Sequence, residues 1–479
     1  MPTEVYQKLL ARMVNQYNDD WVRRFVNVAD VVENYRQAHA EKLPQYWQSY
    51  CAPARWRRWC LAYMYINIKT KCFQSGVGRT CAKAGHACCR RIVSWSAHPC
   101  RWMYKLNAKA LEAVVRLWAS GFETKDLFSA VVDLRAATKR LRHDHGYLTC
   151  CFMCKKEKHP LCVWVGDAAQ LFEEISRDEV LRRLKCIVRQ LHCASGAFGI
   201  VTKQSRRLHY WFAKNNFRPS HGARLHRWDD IIAIAEVALL QTCVKVGAVV
   251  YEQRRGVPIG GFMSKQCASI FLGFCEDDWL TSGRATRWCP PGFKFEHTAA
   301  ATRYVDDLAM VSSVLCSSCL EAMVSQIYDK PVQFEAAKPT ELGTPWLDVW
   351  LMCEGLDLRV HAHGVEHAWR SQALHGTVGQ PTKFRLMPFQ GVDLVDLTLL
   401  KGVLNGRLTR LKSLDLTPQD IKLAVECELQ IWALHGYPLC IILEVWQCGR
   451  YFPEAIKHAR ATLQHALRNC GNNTSITSN

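Results

Sequence analysis

The stretch ATRYVDDLAMVSS, residues 301–313, decides how this chain is read. Its pattern predicts strand, tight turn, strand. Two adjacent acids, Asp306 and Asp307, sit among Val305, Leu308, Ala309 and Met310. Burying carboxylates in such surroundings is costly unless something cationic neutralises them. Neighbours along a strand face opposite sides, so both acids reach one point only from a tight turn. That geometry suits a pair of metal ions.

Upstream, LCVWVGD (161–167) is a short apolar run ending in an acid, Asp167, and predicts a buried strand. A carboxylate at the end of that strand can face the hairpin turn across a sheet. Three converging carboxylates would bind two Mg²⁺ ions, with Mn²⁺ as an alternative, through oxygen ligands. Two metals about 3.5–4 Å apart stabilise the attacking and leaving oxygens of an in-line phosphoryl transfer. Each acid alone has an ordinary reading, as a strand-end cap or a solvated surface pair. Their order and apolar flanks together carry the case.

The rest of the chain fits a mixed sheet backed by helices. Helical patterns are expected over residues 1–50, 107–142, 171–191 and 230–247, and from about 390 onward. VGAVVYEQRRG (246–256) reads as a strand entering a turn, and WLDVWLMCEG (346–355) as a further strand. No fold is assigned to residues 51–100, which are basic and rich in Cys and Trp. At 479 residues the chain holds two or three packed units. The expected class is α+β, with an all-helical C-terminal unit.

The charge points to polyanionic partners: 62 Lys and Arg against 43 Asp and Glu, a net +19. No acid occurs from Lys42 to Leu111. A membrane span is not expected, because the best apolar stretch, Ile231 to Val250, is broken by Glu236, Gln241 and Lys245. The N-terminus lacks the apolar core of a signal peptide, so an intracellular location, nuclear or cytoplasmic, is expected. The 24 cysteines are then mostly reduced thiols. Two sets approach zinc-ligand spacing: Cys151, Cys154, His159 and Cys162, and Cys81, His86 and Cys89 with Cys72 upstream. Their last interval is tighter than in the usual knuckle, so zinc is the minor expectation there.

The motifs together resemble the reverse transcriptases of retroelements, of the non-LTR or Penelope-like type. RYVDDLAMVSS resembles their Y-x-D-D motif, and GDAAQLFEEI (166–175) their first acidic motif, an Asp with an aromatic five residues on. RGVPIGGFMSKQCASIFLGFCEDDW (255–279) resembles the Gly-Pro-rich motif and the long helix between them. WLDVWL resembles the strand after the palm, and LQIWALHGYP (429–438) a late element of some thumbs. The resemblance covers about residues 160–450 and implies a right-hand polymerase of fingers, palm and helical thumb. The implied division is a basic N-terminal extension (1–100), fingers (101–160), palm (161–355, with a fingers insertion around 186–250), and thumb with tail (356–479).

The resemblance also implies site roles. Asp167, Asp306 and Asp307 would be the catalytic metal ligands. Phe172 would be the steric gate that rejects a 2′-hydroxyl, against a plain reading as a core Phe. Pro258, Gly260 and Gly261 would shape the nucleotide pocket, since Gly permits close approach. Ile259 and Phe262 stand where many members have Gln and Pro. Tyr304 would pack under the primer end, and Lys338 stands where the family places a lysine that protonates pyrophosphate. Arg303 is read as touching backbone phosphate or as a flanking surface charge. Triphosphate cations would come from among Arg135, Lys139, Arg140, Arg142, Lys155, Lys156 and Lys158.

Two aromatic-basic stretches are candidate nucleic-acid tracks: ARWRRWC (54–60), with Arg55, Arg57 and Arg58, and residues 206–228, with Arg206 and Arg207. Their equal alternative is aromatics facing the core with solvated Arg. The thumb stretch KGVLNGRLTRLKSL, with Lys401 and Arg407, would lie along a template-primer duplex. The implied partners are an RNA template, a DNA or RNA primer and dNTPs. Two other readings stay open: a related palm polymerase with another template or product, and a catalytically decayed or domesticated RNA-binding copy.

Overall fold

The computed structural model describes residues 21–68 and 89–362, with short breaks at 119–120, 125, 146–148, 206–207, 215–219, 329–331, 341–342, 348 and 356, and isolated residues between 406 and 425. The first elements are β1 (Trp21–Arg24), α1 (Val28–Lys42), β2 (Tyr63–Ile68), β3 (Cys89–Ser94), α2 (Arg101–Trp118) and α3 (Leu127–His145). Next come β4 (Cys162–Ala169), α4 (Leu171–Glu174), α5 (Arg177–Ser195), β5 (Gly199–Gln204), β6 (Leu208–Ala213), β7 (Ala223–Arg227), α6 (Trp228–Leu239), β8 (Cys243–Val246), β9 (Val249–Gln253) and α7 (Ser264–Thr281). The last are β10 (Ala299–Tyr304), β11 (Asp307–Ser312), α8 (Ser317–Ile327), β12 (Gln333–Ala336), β13 (Thr344–Trp346), β14 (Val349–Glu354) and β15 (Asp357–Ala362).

The central sheet has the order β10-β11-β4-β12, antiparallel throughout. Leu308, Ala309, Met310 and Val311 are all buried, so β11 is covered on both faces. Helix α7 lies deep in the core, burying Cys267, Ala268, Ile270, Phe271, Leu272 and Trp279. Gly166 is fixed by packing: a Cβ there would meet the Trp164 ring at 2.3 Å.

Local chemistry breaks the long helix expected over 171–191. Ile175 is extended, and the Ser176 side chain accepts from the Glu179 N–H, capping a new helix. Helix α5 then buries Val180, Leu184, Ile187, Val188 and Leu191 along one stripe and ends at Gly196 in the left-handed region. The helix expected to 247 stops at Leu239, because Cys243–Val246 pairs with β9. WLDVWL is not one strand: Leu347 at φ 53° turns the chain, and Trp346 pairs with Val349.

Among the described residues, the strands before residue 100 do not form a separate extension. A second sheet of order β1-β9-β8-β2-β3 joins strands from residues 21–94 to strands from 243–253. A boundary at residue 100 therefore cuts through one sheet. Strands β5, β6 and β7 form a third sheet of order β6-β5-β7, whereas β8 and β9 belong to the second. Among the described residues no helix is long and apolar enough to cross a membrane. The helical pattern from about 390 onward lies almost wholly outside the described residues.

Candidate active site

The hairpin between β10 and β11 is as tight as a hairpin gets. Tyr304 pairs with Asp307, leaving Val305 and Asp306 as the turn. Val305 has φ 62°, and Asp306 is not in the left-handed region. Positive φ at the first turn position alone is a place that normally takes Gly, and a β-branched residue persists there only when its surroundings enforce it.

Two contacts enforce it. The Arg303 guanidinium donates to the Val305 carbonyl at 2.6 Å, and the Ala168 N–H donates to the Asp306 carbonyl at 3.0 Å. The second bond binds the turn to β4 beside Asp167. Across the sheet Asp307 lies opposite Asp167, and Asp167 lies opposite Glu335. Paired residues in antiparallel strands face the same side, with Cα atoms about 4.5–5.5 Å apart. Glu335, Asp167, Asp307 and Tyr304 thus form one row on one face, with Asp306 in the turn beside it. Asp167 is exposed, and Asp306 and Asp307 are half-buried. This donor set of hard carboxylate oxygens suits Mg²⁺ or Mn²⁺.

Arg303 is neither a phosphate contact nor a surface charge. It is wholly buried, pairing with Glu276 and, at 2.7 Å, with Glu123. Burial opposes its charge, but the two carboxylates outweigh that and hold it more firmly protonated than a free Arg. Glu276 also accepts from the Tyr328 hydroxyl and the Phe122 N–H, each at 2.7 Å. Gly121, at φ 74°, leaves room for Glu276, whose Oε2 would lie 2.2 Å from a Cβ there. A surface Arg and this buried one look alike in sequence, because Glu276 and Glu123 lie far along the chain.

The Gly-Pro turn and Phe172 come together. The Val257 N–H donates to the Phe172 carbonyl at 2.6 Å. A Cβ on Gly256, at φ 74°, would meet that carbonyl at 2.2 Å. Gly256 was missed in sequence, although it opens the same Gly-Val-Pro-Ile-Gly-Gly run. Phe172 itself is half-buried against the core. The Pro258 carbonyl accepts from the Ser264 hydroxyl and from the Gly261 N–H. Gly260, at φ 98°, packs against the Val93 carbonyl, and the Val93 N–H donates to Ile259 at 2.8 Å. Strand β3 of the second sheet thereby closes onto this turn, and Arg91 on it approaches Glu173 at 3.4 Å.

Other expected residues fall elsewhere. Lys338 is exposed and lies past the end of β12, three residues beyond Glu335. Lys265 was not singled out, yet its Nζ lies 4.8 Å from the Tyr304 ring centroid. Arg55, Arg57 and Arg58 are exposed, but Trp56 and Trp59 are core residues packed edge-on with each other and with His98, so they offer no stacking platform. Arg135, Lys139 and Arg140 lie on α3. Arg206, Arg207, Lys401 and Arg407 lie outside the described residues.

The first zinc spacing does not assemble as expected. Cys162 is buried on β4, its thiol directed to the His159 carbonyl at 3.5 Å. Cys151 and Cys154 instead face Cys316 and Cys319. Cys72, Cys81 and His86 lie outside the described residues.

No family model matches this sequence, and no curated protein matches it. Among solved structures the chain is similar to telomerase from Candida albicans, solved in complex with a TWJ fragment of telomeric RNA. The TM-score is 0.50 at 11% identity, over 94% of this chain and 62% of that one. It is also similar to apo telomerase from Candida tropicalis, with a TM-score of 0.44 at 9% identity, over 96% of this chain and 66% of that one. The chain therefore spans less than two thirds of the length of either. The α+β architecture of this chain is that of a right-hand polymerase.

Proposed function

We propose that the chain is a reverse transcriptase, adding dNTPs to a primer 3′ end on an RNA template. The observation that carries this reading is the row in which Asp167 and Asp307 stand opposite each other with Asp306 in the adjoining turn. Those three side chains would hold two Mg²⁺ ions. Such ions supply charge neutralisation at the attacking and leaving oxygens of phosphoryl transfer. The chain's own part is to hold the carboxylates in register and position the substrates. Arg303 and Ala168 fix the turn; Phe172 would exclude a 2′-hydroxyl; Pro258, Gly260 and Gly261 would bound the base pair; Tyr304 would support the primer end.

The R-Y-V-D-D motif and its order with the other motifs favour a retroelement enzyme of the non-LTR or Penelope-like type. A +19 charge and a structural neighbour solved with an RNA fragment support RNA as the template class. Primer extension by the full chain on a homopolymer RNA template tests the reading. Expected are dNTP addition dependent on Mg²⁺ and abolished by EDTA, and weak ribonucleotide use that rises in Phe172→Ala. RNA binding without extension would leave a non-catalytic RNA-binding copy. Unchanged ribonucleotide use in Phe172→Ala would remove the gate assignment.

A further inference from the structure

We propose that Cys151, Cys154, Cys316 and Cys319 form a closed tetrathiolate zinc site at the end of the central sheet remote from the carboxylates. The four sulfurs lie within 4.8 Å of one another. They come from two C-x2-C pairs, CFMC (151–154) and CSSC (316–319), far apart in sequence. Tetrahedral Zn–S bonds of about 2.3 Å give sulfur–sulfur edges of about 3.8 Å. Cys154 and Cys316 lie 3.7 Å apart, far longer than a disulfide.

The backbone is shaped around these thiols. The Lys155 N–H donates to the Cys151 carbonyl at 2.9 Å and the Cys151 N–H to the Lys156 carbonyl at 2.8 Å, closing a tight turn. Lys155 adopts φ 60°, unusual for a residue with a side chain. The second pair sits at the start of α8: Cys316 is its N-cap and Cys319 lies in its first turn. The pairs are joined directly. The Phe152 N–H donates to the Val314 carbonyl at 2.8 Å, and the Cys316 N–H donates to the Cys151 sulfur at 3.3 Å.

Packing alone does not explain the cluster, since Cys154 is exposed and Cys316 and Cys319 are half-buried. Four thiolates around one Zn²⁺ leave two negative charges. Lys155, Lys156 and Lys158, read from sequence as triphosphate cations, stand in the same loop to offset them.

The site's role follows from its place. The pairs Asp307–Asp167 and Ser312–Cys162 mark opposite ends of the pairing between β11 and β4. The cluster lies just beyond the second pair, roughly 17 Å along the strand from the carboxylate row. Four protein ligands leave no open position, so the zinc is structural. It ties the segment entering β4 to the segment leaving β11, the two strands that bear the acids.

Metal analysis of the full chain, purified without added metal, tests the site. It does not depend on nucleotide addition, so it stands or falls apart from the polymerase reading. One zinc per chain is expected from this cluster, lost in a Cys154→Ser/Cys319→Ser double variant and kept in Cys81→Ser. Should the double variant fail to fold, Co²⁺ exchange into the wild type gives a second readout: intense tetrahedral d–d bands with sulfur-to-cobalt charge transfer. A chain without stoichiometric zinc, zinc retained by the folded double variant, iron in its place, or a cobalt spectrum lacking sulfur ligation each overturns the proposal.

Discussion

Arg303 does at the scale of one residue what the carboxylates cannot do for themselves. It fixes the strained Val305 carbonyl and neutralises Glu276 and Glu123 in the core. Arg303→Met would strand the buried Glu276 and the partly buried Glu123, an uncompensated state that costs about 3–5 kcal/mol. Urea denaturation is expected to show that loss. The salt dependence of RNA binding, measured where the variant is folded, should not move. Unchanged stability with a salt slope smaller by about 1 would restore the phosphate contact instead. The acids and the Gly-Pro turn were legible because their signals are local: an acid pair among apolar residues, an acid closing an apolar run, a Gly-rich run; β4 itself continues past Asp167 to Ala169. The partners of Arg303 and the position of Glu335 opposite Asp167 were not, because strand register and a core formed from distant segments leave no mark in local spacing.

At the scale of elements, three joints hold the site. The first is the Gly256 contact between α4 and the turn before α7. Gly256→Ala places a Cβ against the Phe172 carbonyl and forces positive φ on Ala. A loss of roughly 2–4 kcal/mol is expected, read as a fall in melting temperature with a raised KM for dNTP. A neutral substitution would mean that the turn is not seated on Phe172. The second is the cysteine cluster between the lead-in to β4 and α8. Its spacing is half legible: the C-x2-C at 151 stands out locally, but the thiols it faces lie beyond the β10–β11 hairpin.

The third joint is a buried polar network where α1, α2 and the segment before β8 meet. His39 donates from Nδ1 to the Tyr35 carbonyl at 2.6 Å and accepts from the Tyr104 hydroxyl, which Gln241 also meets. Burial pushes its pKa down to about 4, so it is neutral in the fold. The unfolded chain then binds the extra proton more readily. The contribution of His39 is complete above about pH 6.5 and is lost as pH falls toward about 4, on the order of 3 kcal/mol. Asp230, raised by burial to about 6, opposes that trend within the same window. Denaturation from pH 7 to pH 4.5 is expected to show a shallower acid loss in His39→Gln than in wild type. Identical slopes would place the titrating groups elsewhere.

For the whole molecule, the decisive fact is that chain order and sheet order differ. The Cys- and Trp-rich residues before 100 resisted assignment because β2 and β3 complete a sheet only with β8 and β9, from 243–253. Periodicity within a window cannot report such pairing. The same folding turns ARWRRWC inside out relative to a stacking track, with Trp56 and Trp59 in the core and Arg55, Arg57 and Arg58 outside. Trp56→Ala should cost about 3–5 kcal/mol of stability. Arg57→Ala should weaken RNA binding alike for all templates if that face meets phosphate. The fold brings Asp167 opposite Asp307, beside the turn that carries Asp306. Single-turnover primer extension by Asp306→Asn, with folding checked by circular dichroism and RNA binding by titration, tests that most directly. Nucleotide addition is expected to fall by about 10³-fold or more with fold and RNA affinity kept, the scale set by losing a charge-stabilising group. Extension within a few-fold of wild type would contradict it.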